Sequence, residues 1–352
     1  MTARTDEFPN WQVSGHAWAV RALAQSVAAD KVAHAYLLTG PHGIGKTTLA
    51  RALAQALECT ADLRPCGECA ACQKIARNRH PDVQIIDGVP PRFDFDKDAS
   101  PPPRTDDWER RTLRIKQIRD IEHFVSRSPF EGRWKIVILR RFEEAEDPAA
   151  NAFLKTLEEP PSHTRLILTA RDATLLLPTI ASRCQVLALR PLALAQVESA
   201  LIERWHVDPE TAQLLAHLSS GRLGWAVRAS ADPARLTARR EQLDALEDVL
   251  REGRAERLAR AGDLVKDSDT LPELIEQWLG WWRDVLLTQH GESARVSNID
   301  RSENLRDHAA RFRLEQVEGA LKALRATARY LDQNINPRLA VEVLLLNLPG
   351  KP

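Results

Sequence analysis

The pattern of apolar and polar positions divides the first 190 residues into short buried strands separated by amphipathic helices. Each strand is a short, nearly continuous apolar run, which is typical of a parallel sheet covered on both faces. Apolar residues between these runs recur at helical spacing, as the crossover connections of parallel strands require. The predicted strands are 36–39, 83–87, 134–139, 165–170 and 185–189. The predicted helices are 15–30, which precedes the first strand, and 48–57, 115–124 and 147–159, which lie between strands. The alternation predicts an α/β fold with a doubly wound parallel sheet whose ligands bind at the strand ends.

Beyond Pro191 the pattern changes to helices alone. Three short helices predict a small helical domain at 191–235, and longer amphipathic helices predict an all-α domain at 236–352. Trp278, Trp281 and Trp282 fall on one side of such a helix, which favours a core position and leaves an oligomer contact as the alternative. The predicted helices are 192–205, 208–219, 223–230, 238–251, 254–266, 271–288, 314–333 and 337–348.

Length and charge limit the classes of function. A chain of 352 residues predicts two or three domains, each with its own core. The 49 basic and 49 acidic residues cancel, so any contact with DNA must come from a local patch or from backbone amides. No apolar leader opens the sequence, and no run of about 18 apolar residues occurs. We therefore expect a cytoplasmic protein without a membrane partner.

A phosphate-binding motif follows the first predicted strand. Residues 40–47 fill every fixed position of G-x-x-x-x-G-K-[ST] between a strand and an Ala/Leu-rich helix. Glycines let backbone amides turn toward phosphate oxygens, the lysine adds a positive charge, and the threonine offers a hydroxyl to Mg²⁺. The predicted nucleotide-binding residues are Gly40, Gly43, Gly45, Lys46, Thr47 and Thr48.

A cluster of cysteines follows the helix after this motif. Cys59, Cys66, Cys69 and Cys72 have the spacing C-x6-C-x2-C-x2-C, which can bring four thiolates into a tetrahedron. Zinc is favoured over an iron–sulfur cluster because the x3-C-P step of ferredoxin sequences is missing. The four ligands leave no open coordination position, so the module at 59–72 predicts a structural Zn²⁺ site. Four thiols without a metal are the alternative.

The end of the third predicted strand departs from the pattern of nucleotide hydrolases. Those enzymes place a magnesium-binding aspartate and a catalytic glutamate directly after this strand. This chain has Arg140 and Arg141 there, and two cations cannot hold Mg²⁺. Residues 88–107 form a Pro-rich segment, which we expect to be a surface insertion.

Several segments together resemble the clamp-loader branch of the AAA+ ATPases, in particular the loader subunits of bacterial DNA polymerase III. The resemblance is specific over the first 190 residues and thinner afterwards. It rests on the phosphate loop and cysteine module, and on His-Ala-Tyr-Leu at 34–37, His-Pro-Asp at 80–82, the Asn-to-Pro segment at 151–161, Ser-Arg-Cys at 182–184, Trp-Trp-Arg-Asp at 281–284 and Asn-Pro-Arg-Leu-Ala at 336–340.

The resemblance implies an AAA+ domain with a zinc knuckle at 1–190, a helical lid at 191–235 and a helical collar at 236–352. It implies a hetero-pentamer with gamma/tau and delta subunits that loads a sliding clamp on primer-template DNA. It also implies that Arg183 of the Ser-Arg-Cys motif acts in catalysis as an arginine finger, presented in trans to the nucleotide of a neighbouring subunit.

Three departures distinguish this chain from the gamma/tau motor subunits. Those subunits carry Asp-Glu where this chain has Arg140 and Arg141, a threonine at the position of Arg171, and a lid arginine near the position of Gly224. The resemblance therefore implies a subunit that does not hydrolyse ATP. The intact phosphate loop leaves binding of ATP with Mg²⁺ open.

Two other functions remain as alternatives. An active ATPase of the gamma/tau type is supported by the complete phosphate loop and opposed by Arg140 and Arg141. A zinc-knuckle protein that binds nucleic acid is supported by the cysteine module and opposed by the zero net charge.

Overall fold

The computed structural model describes residues 9–98, 100–104, 109, 111–266, 270–333 and 335–350. The polar segment 1–8 and residues 99 and 105–107 of the Pro-rich insertion lie outside the described residues. The chain divides into two compact units. The first consists of Met1–Arg104, Arg110–Gln196 and Gly221–Trp225, and the second of Thr105–Glu109, Val197–Ser220 and Ala226–Pro352.

The first unit is built on a five-stranded parallel sheet, counted over its described residues. Its strands are β1 (Ala35–Thr39), β2 (Val83–Ile86), β3 (Lys135–Leu139), β4 (Thr164–Ala170) and β5 (Gln185–Ala188), in the order β2-β3-β4-β1-β5. In the register of the central strands, Leu37 lies between Leu168 and Val186. The predicted parallel α/β sheet is thus confirmed, with β1 and its following loop near the middle.

Successive side chains of a strand point to opposite faces, so the apolar strands supply two cores. On β1, Tyr36 and Leu38 pack into one core, whereas Ala35 and Leu37 pack into the other. The helices of this unit are α1 (Ala17–Ala28), α2 (Lys46–Glu58), α3 (Ala70–Ala76), α4 (Ile115–Val125), α5 (Asp147–Glu158) and α6 (Pro178–Ala181). Helices α1 and α2 cover the first core, and α4, α5 and α6 cover the second.

The buried carboxylate of Asp82 fixes the connection that leads into β3. It accepts hydrogen bonds of 2.8 Å each from the amides of Phe130, Glu131 and Gly132, and one of 2.7 Å from Lys135 Nζ. Burial acts to raise the pKa of Asp82, but these donors hold the pKa well below its usual range. The His-Pro-Asp motif therefore has a structural role here.

The second unit is helical. Its central helix α12 carries Trp278, Trp281 and Trp282, which are at most 2% exposed, so the aromatic stripe is core as predicted. The helices after β5 are α7 (Leu194–Trp205), α8 (Pro209–Ser219), α9 (Leu223–Ala231), α10 (Pro233–Arg251), α11 (Arg254–Leu264), α12 (Leu271–Gln289), α13 (Ser302–Arg311), α14 (Leu314–Asp332) and α15 (Pro337–Asn347).

The last residue of the Trp-Trp-Arg-Asp motif orders a turn within this unit. Asp284 is completely buried and accepts hydrogen bonds from the amides of Ser297 and Asn298 at 2.7 and 2.8 Å. The sequence pattern did not predict α13, because only Leu305 and His308 of that polar helix are buried. Among the described helices, none combines the length and the apolar character needed to cross a membrane.

Candidate functional site

The phosphate loop occupies the turn between β1 and α2. Gly40 and Gly45 adopt φ angles of +141° and +109°, which favour glycine strongly over residues with a side chain. Lys46 begins α2 and is buried, and its ammonium donates hydrogen bonds to the carbonyls of Gly40 and Pro41, the latter at 3.0 Å. Thr47 and Thr48 follow in the first helical turn, where amides point toward the loop.

Two neighbouring segments of the first unit hold this loop from outside. His16 Nε2 donates to the carbonyl of Ile44 at 3.0 Å, and burial lowers the pKa of this imidazole. The amide of Gly224 donates to the carbonyl of Gly43 at 2.7 Å. A Cβ at position 224 would lie 2.7 Å from that same oxygen, so a larger residue here would force the backbone apart. Glycine at this position therefore allows direct backbone contact with the phosphate loop.

The two arginines after β3 are part of the sheet edge. Arg141 is 6% exposed and has a left-handed backbone with φ of +52°, and its amide donates to Thr169 Oγ1 at 3.0 Å. Arg140 donates from its amide to Ile86 O at 2.8 Å and pairs with Asp87 Oδ2 at 2.8 Å. Both arginines are thus fixed at the carboxyl end of the sheet, where a ligand of this fold class binds.

The nearby glutamates face arginines. Glu144 lies 2.5 Å from Arg104 and 3.4 Å from Arg141. Glu143 accepts from the amide of Arg171 at 3.1 Å and lies 3.7 Å from its Nε atom. Burial raises the pKa of Glu144, although Arg104 and Arg141 oppose that shift. The carboxylates in this region are therefore engaged in neutralising arginines.

The Pro-rich insertion is tied to the same edge by Arg104. Its guanidinium is almost completely buried and also pairs with Asp87 at 2.9 Å. Burial acts to lower the pKa of Arg104, but Asp87 and Glu144 raise it above its ordinary value. The insertion is held further by Arg111, which donates to Pro102 O at 2.8 Å, and by Arg114, which donates to Pro91 O at 2.7 Å. The described part of the insertion is thus packed against the sheet edge.

The pKa of His42 in the phosphate loop depends on its burial and on the charges around it. Burial and the nearby cations Arg141, Lys46, Arg171 and Arg104 lower its pKa far below the ordinary value, so the imidazole is neutral at pH 7. Four positive side chains therefore act on one residue of the loop. A hydrolase would carry carboxylates at the end of β3 in this region.

The four-cysteine module lies between α2 and α3. Cys59 follows the last residue of α2, Cys69 is the N-cap of α3, and Cys72 lies in its first turn. The four Sγ atoms all lie within 4.8 Å of one another, and those of Cys59 and Cys69 are 4.0 Å apart. Sulfurs around a tetrahedral zinc ion are about 3.8 Å apart. The module can therefore hold one metal ion, and the donor set is compatible with zinc.

Backbone amides support thiolate character in this module. The amide of Cys66 lies 3.3 Å from Cys59 Sγ, and that of Cys69 lies 3.2 Å from Cys66 Sγ. Burial acts to raise the pKa of Cys69, but hydrogen bonds from Cys72 lower it to about 6. Burial raises the pKa values of Cys59 and Cys72, which a bound cation would reverse. The helix missed by the sequence pattern, α3, thus carries Cys72 and is capped at its N-terminus by Cys69.

Arg183 occupies a different corner of the first unit, between α6 and β5. Its side chain is 35% exposed, its NH1 donates to Thr179 O at 2.8 Å, and its NH2 lies 2.6 Å from Glu158 Oε1 on α5. The next residue, Cys184, packs against the core under α5, and burial raises its pKa to about 11. The arginine is therefore accessible, whereas the cysteine beside it is an inert packing residue.

Two family models match this chain. The model described as DNA polymerase III, delta subunit, matches residues 15–193, and the model described as DNA polymerase III, delta subunit, C terminal, matches residues 233–349. The chain belongs to the DNA polymerase III delta-subunit family.

Curated relatives of this delta-family chain carry replication-subunit names. DNA polymerase III subunit delta′ of Bacillus subtilis is 27% identical over 94% of this chain and 94% of its own length. Subunit delta′ of Pseudomonas aeruginosa is 41% identical over 43% of this chain and 42% of its own length. Subunit tau of Escherichia coli is 32% identical over 60% of this chain, which corresponds to 31% of its own length. The resemblance to bacterial clamp-loader subunits is confirmed, and within them it extends to delta′.

Sequence reasoning missed two residues at the sheet edge beside the phosphate loop. Asp87 was assigned to the second strand, but β2 ends at Ile86 and Asp87 turns toward the arginines. A polar residue directly after a parallel strand was the available signal. Arg104 had no comparable signal, because nothing in a Pro-rich segment predicts a buried ion pair.

Proposed function

We propose that this chain is a clamp-loader subunit of bacterial DNA polymerase III that does not hydrolyse ATP and supplies Arg183 to the ATP site of a neighbouring subunit. The observation that carries the proposal is the pair Arg140 and Arg141 at the end of β3, where a hydrolase needs carboxylates. Family membership supports the clamp-loader assignment.

The setting of Arg183 supports its role toward a neighbour. Its ion pair with Glu158 is accessible to solvent on both sides, and such pairs contribute about 0 to 1 kcal/mol. The guanidinium can therefore exchange this partner for a phosphate group at little cost. The short helix α6, which starts at Pro178, anchors the guanidinium, because NH1 donates a hydrogen bond to the carbonyl of Thr179.

The proposed partners follow from the family and its relatives. They are the gamma/tau and delta subunits of a hetero-pentamer, the sliding clamp and primer-template DNA. The division into an AAA+ domain at 1–190, a lid at 191–235 and a collar at 236–352 belongs to the same proposal. Limited proteolysis of the full chain tests this division into domains. We expect cleavage near residues 190 and 235.

Phosphate release from the isolated chain tests whether it hydrolyses ATP. We expect no release above the background of the Lys46→Ala variant, since the end of β3 lacks the carboxylates that hydrolysis needs. Release that disappears in Lys46→Ala would instead establish a gamma/tau-type motor. The nucleic-acid-binding alternative predicts tight DNA binding by the free chain with a steep salt dependence.

The role of Arg183 is tested in a reconstituted ring in which the neighbouring site alone is competent for hydrolysis. We expect Arg183→Ala to reduce DNA-stimulated phosphate release about 10³-fold or more. Arg190→Ala is the matched control, because Arg190 is an exposed arginine seven positions further along the chain. Equal rates for the two variants would refute the arginine-finger proposal.

We propose further that the cysteine module holds a structural Zn²⁺. Its support is the set of four Sγ atoms within 4.8 Å. We expect about one zinc ion per purified chain, lost in Cys72→Ser and retained in the control Cys184→Ser, as measured by elemental mass spectrometry. Iron in place of zinc, or equal zinc content in both variants, would contradict the assignment.

A further inference from the structure

We propose that the phosphate loop binds the polyphosphate chain of a nucleotide as a metal-free anion, with arginines at the ends of β3 and β4 in the place of Mg²⁺. The inference goes beyond the proposed function, which does not say whether the phosphate loop binds a nucleotide. It adds the form of the ligand and the means by which the site neutralises it.

The sheet order brings these arginines to the loop. Strand β4 lies beside β1, which leads into the loop, and β3 lies beside β4. The amide of Gly40 donates to the carbonyl of Arg171 at 3.0 Å, so the end of β4 contacts the first residue of the loop. The amide of Arg141 bonds to Thr169 of β4 at 3.0 Å. The ends of the two strands and the loop thus form one continuous surface.

The charges in this surface are unequal. Among the described residues of this surface, the cationic side chains are Lys46, Arg104, Arg140, Arg141 and Arg171, and the carboxylates are Asp87, Glu143 and Glu144. We call these eight side chains the arginine cluster. The described side chains of the cluster, five positive and three negative, carry an excess of positive charge in a half-buried region next to the loop.

The carboxylates of the cluster already face arginines. Asp87 pairs with Arg104 and Arg140 at 2.9 and 2.8 Å, and Glu144 pairs with Arg104 and Arg141. A divalent cation would have to displace these arginines and would remain surrounded by positive charge. The cluster is therefore unfavourable for Mg²⁺ and favourable for an anion.

The neutral imidazole of His42 fits the same conclusion. Burial is the main cause of its lowered pKa, and Lys46 and three arginines of the cluster lower that pKa further. The positive potential that these four cations create at the loop attracts phosphate oxygens. Guanidinium groups bind phosphate through two parallel hydrogen bonds, so they can neutralise a polyphosphate without a metal.

Calorimetric titration of the full chain with ATP, in Mg²⁺ and in EDTA, tests the proposal. We expect the dissociation constant in EDTA to equal or fall below that in Mg²⁺, because free ATP carries more negative charge than its magnesium complex. Binding that is about tenfold weaker in EDTA, a loss of 1.4 kcal/mol, would overturn the proposal. Absence of binding in both buffers would overturn it as well.

Two substitutions test the arginines themselves. We expect Arg171→Thr to weaken binding in EDTA about tenfold, and Arg141→Glu to weaken it more and to make the remaining binding depend on Mg²⁺. Arg79→Glu is the control for the charge change, since Arg79 is exposed after α3 and outside the cluster. Circular dichroism reports whether each variant folds. If Arg141→Glu does not fold, the test rests on Arg171→Thr. An unchanged affinity of Arg171→Thr for ATP in EDTA would refute the role of the cluster.

The choice of ligand separates a nucleotide from a free phosphate chain. Inorganic tripolyphosphate in EDTA should compete with ATP, whereas adenosine should not. ATP that binds much more tightly than tripolyphosphate identifies a nucleotide, and equal affinity identifies the chain of phosphates alone. If adenosine competes with ATP and tripolyphosphate does not, the inference is contradicted. The ring assay of Arg183 is independent of these titrations, so either proposal can fail alone.

Discussion

Two sets of arginines in the first unit are held in contrasting ways. Arg104 and Arg141 have side chains that are 3% and 7% exposed, and they pair with carboxylates of the same unit. Arg183 is 35% exposed and has one accessible carboxylate partner, Glu158. Burial and the number of carboxylate partners, rather than residue type, therefore distinguish these two arginines from Arg183.

Under the proposed function, the contrast would explain how a nucleotide site loses hydrolysis without losing its fold. Replacing carboxylates by arginines at the end of β3 leaves positive charge that would be costly when buried alone. The chain compensates with Asp87, Glu143 and Glu144 from adjacent segments. We propose that such a site favours anions, whereas the half-buried Arg183 has an accessible ion pair.

The largest effect on stability is expected from Arg104→Ala. The substitution removes the buried guanidinium that Asp87 and Glu144 share, and breaking a buried ion pair costs about 3 to 5 kcal/mol. Urea denaturation monitored by circular dichroism measures the change. Arg119→Ala, at an exposed position on α4, is the control and should change stability by less than about 0.5 kcal/mol. Equal stability of the two variants would show that the buried ion pairs of Arg104 do not stabilise the fold.

Arg183→Lys separates charge from geometry at the accessible site. Lysine keeps the charge but lacks the planar fork of arginine, so we expect hydrolysis at the neighbouring site to fall at least about tenfold. The free energy of unfolding should change by less than about 0.5 kcal/mol, because the side chain is exposed. A fully active lysine variant would show that charge alone suffices.

The pH dependence of stability tests the ion pairs that Asp87 makes with Arg104 and Arg140. Burial acts to raise the pKa of Asp87, but Arg104 and Arg140 hold it below the ordinary value. A depressed pKa in the folded state stabilises the fold above the unfolded pKa of about 4, and this contribution is lost as the pH falls further.

We therefore expect Asp87→Asn to be about 1 kcal/mol less stable than the native chain at pH 7, with the difference shrinking below about pH 4. Denaturation curves over this pH range measure it. Asp62→Asn, at an exposed position in the cysteine module, is the control. If the stability difference between Asp87→Asn and the native chain grew as the pH falls, the pKa of Asp87 would be raised rather than lowered in the folded state.

Glu158→Gln should have the smallest effect. The Glu158–Arg183 pair is accessible to solvent, so its loss should cost less than about 1 kcal/mol of stability. Hydrolysis by the neighbour should change only a few-fold, because the Arg183 guanidinium keeps its hydrogen bond to Thr179 O. Glu159→Gln is the adjacent exposed control. A large loss in Glu158→Gln alone would mean that this carboxylate positions the arginine.

Local patterns predicted the elements that carry the candidate sites. Residues 40–47 form the turn before α2, and the four cysteines of 59–72 come together as their spacing indicated. Both features are formed by residues that are close in sequence. The short chain between such residues limits how far apart they can lie, so their spacing in the sequence predicts their arrangement. The same local reasoning missed α3 and α13, since one is short and the other presents few apolar residues.

The sequence by itself determined the parallel sheet, the phosphate loop and the helical second half, because hydrophobic periodicity and glycine positions act locally. It also determined that arginines follow β3. Only the tertiary structure decided what surrounds those arginines. Arg104 pairs with residues 17 and 40 positions away, and the enclosing contacts form only when separate strand ends meet. Burial then sets the charge state of His42 and leaves Arg183 accessible, because solvent exposure is a property of the folded chain.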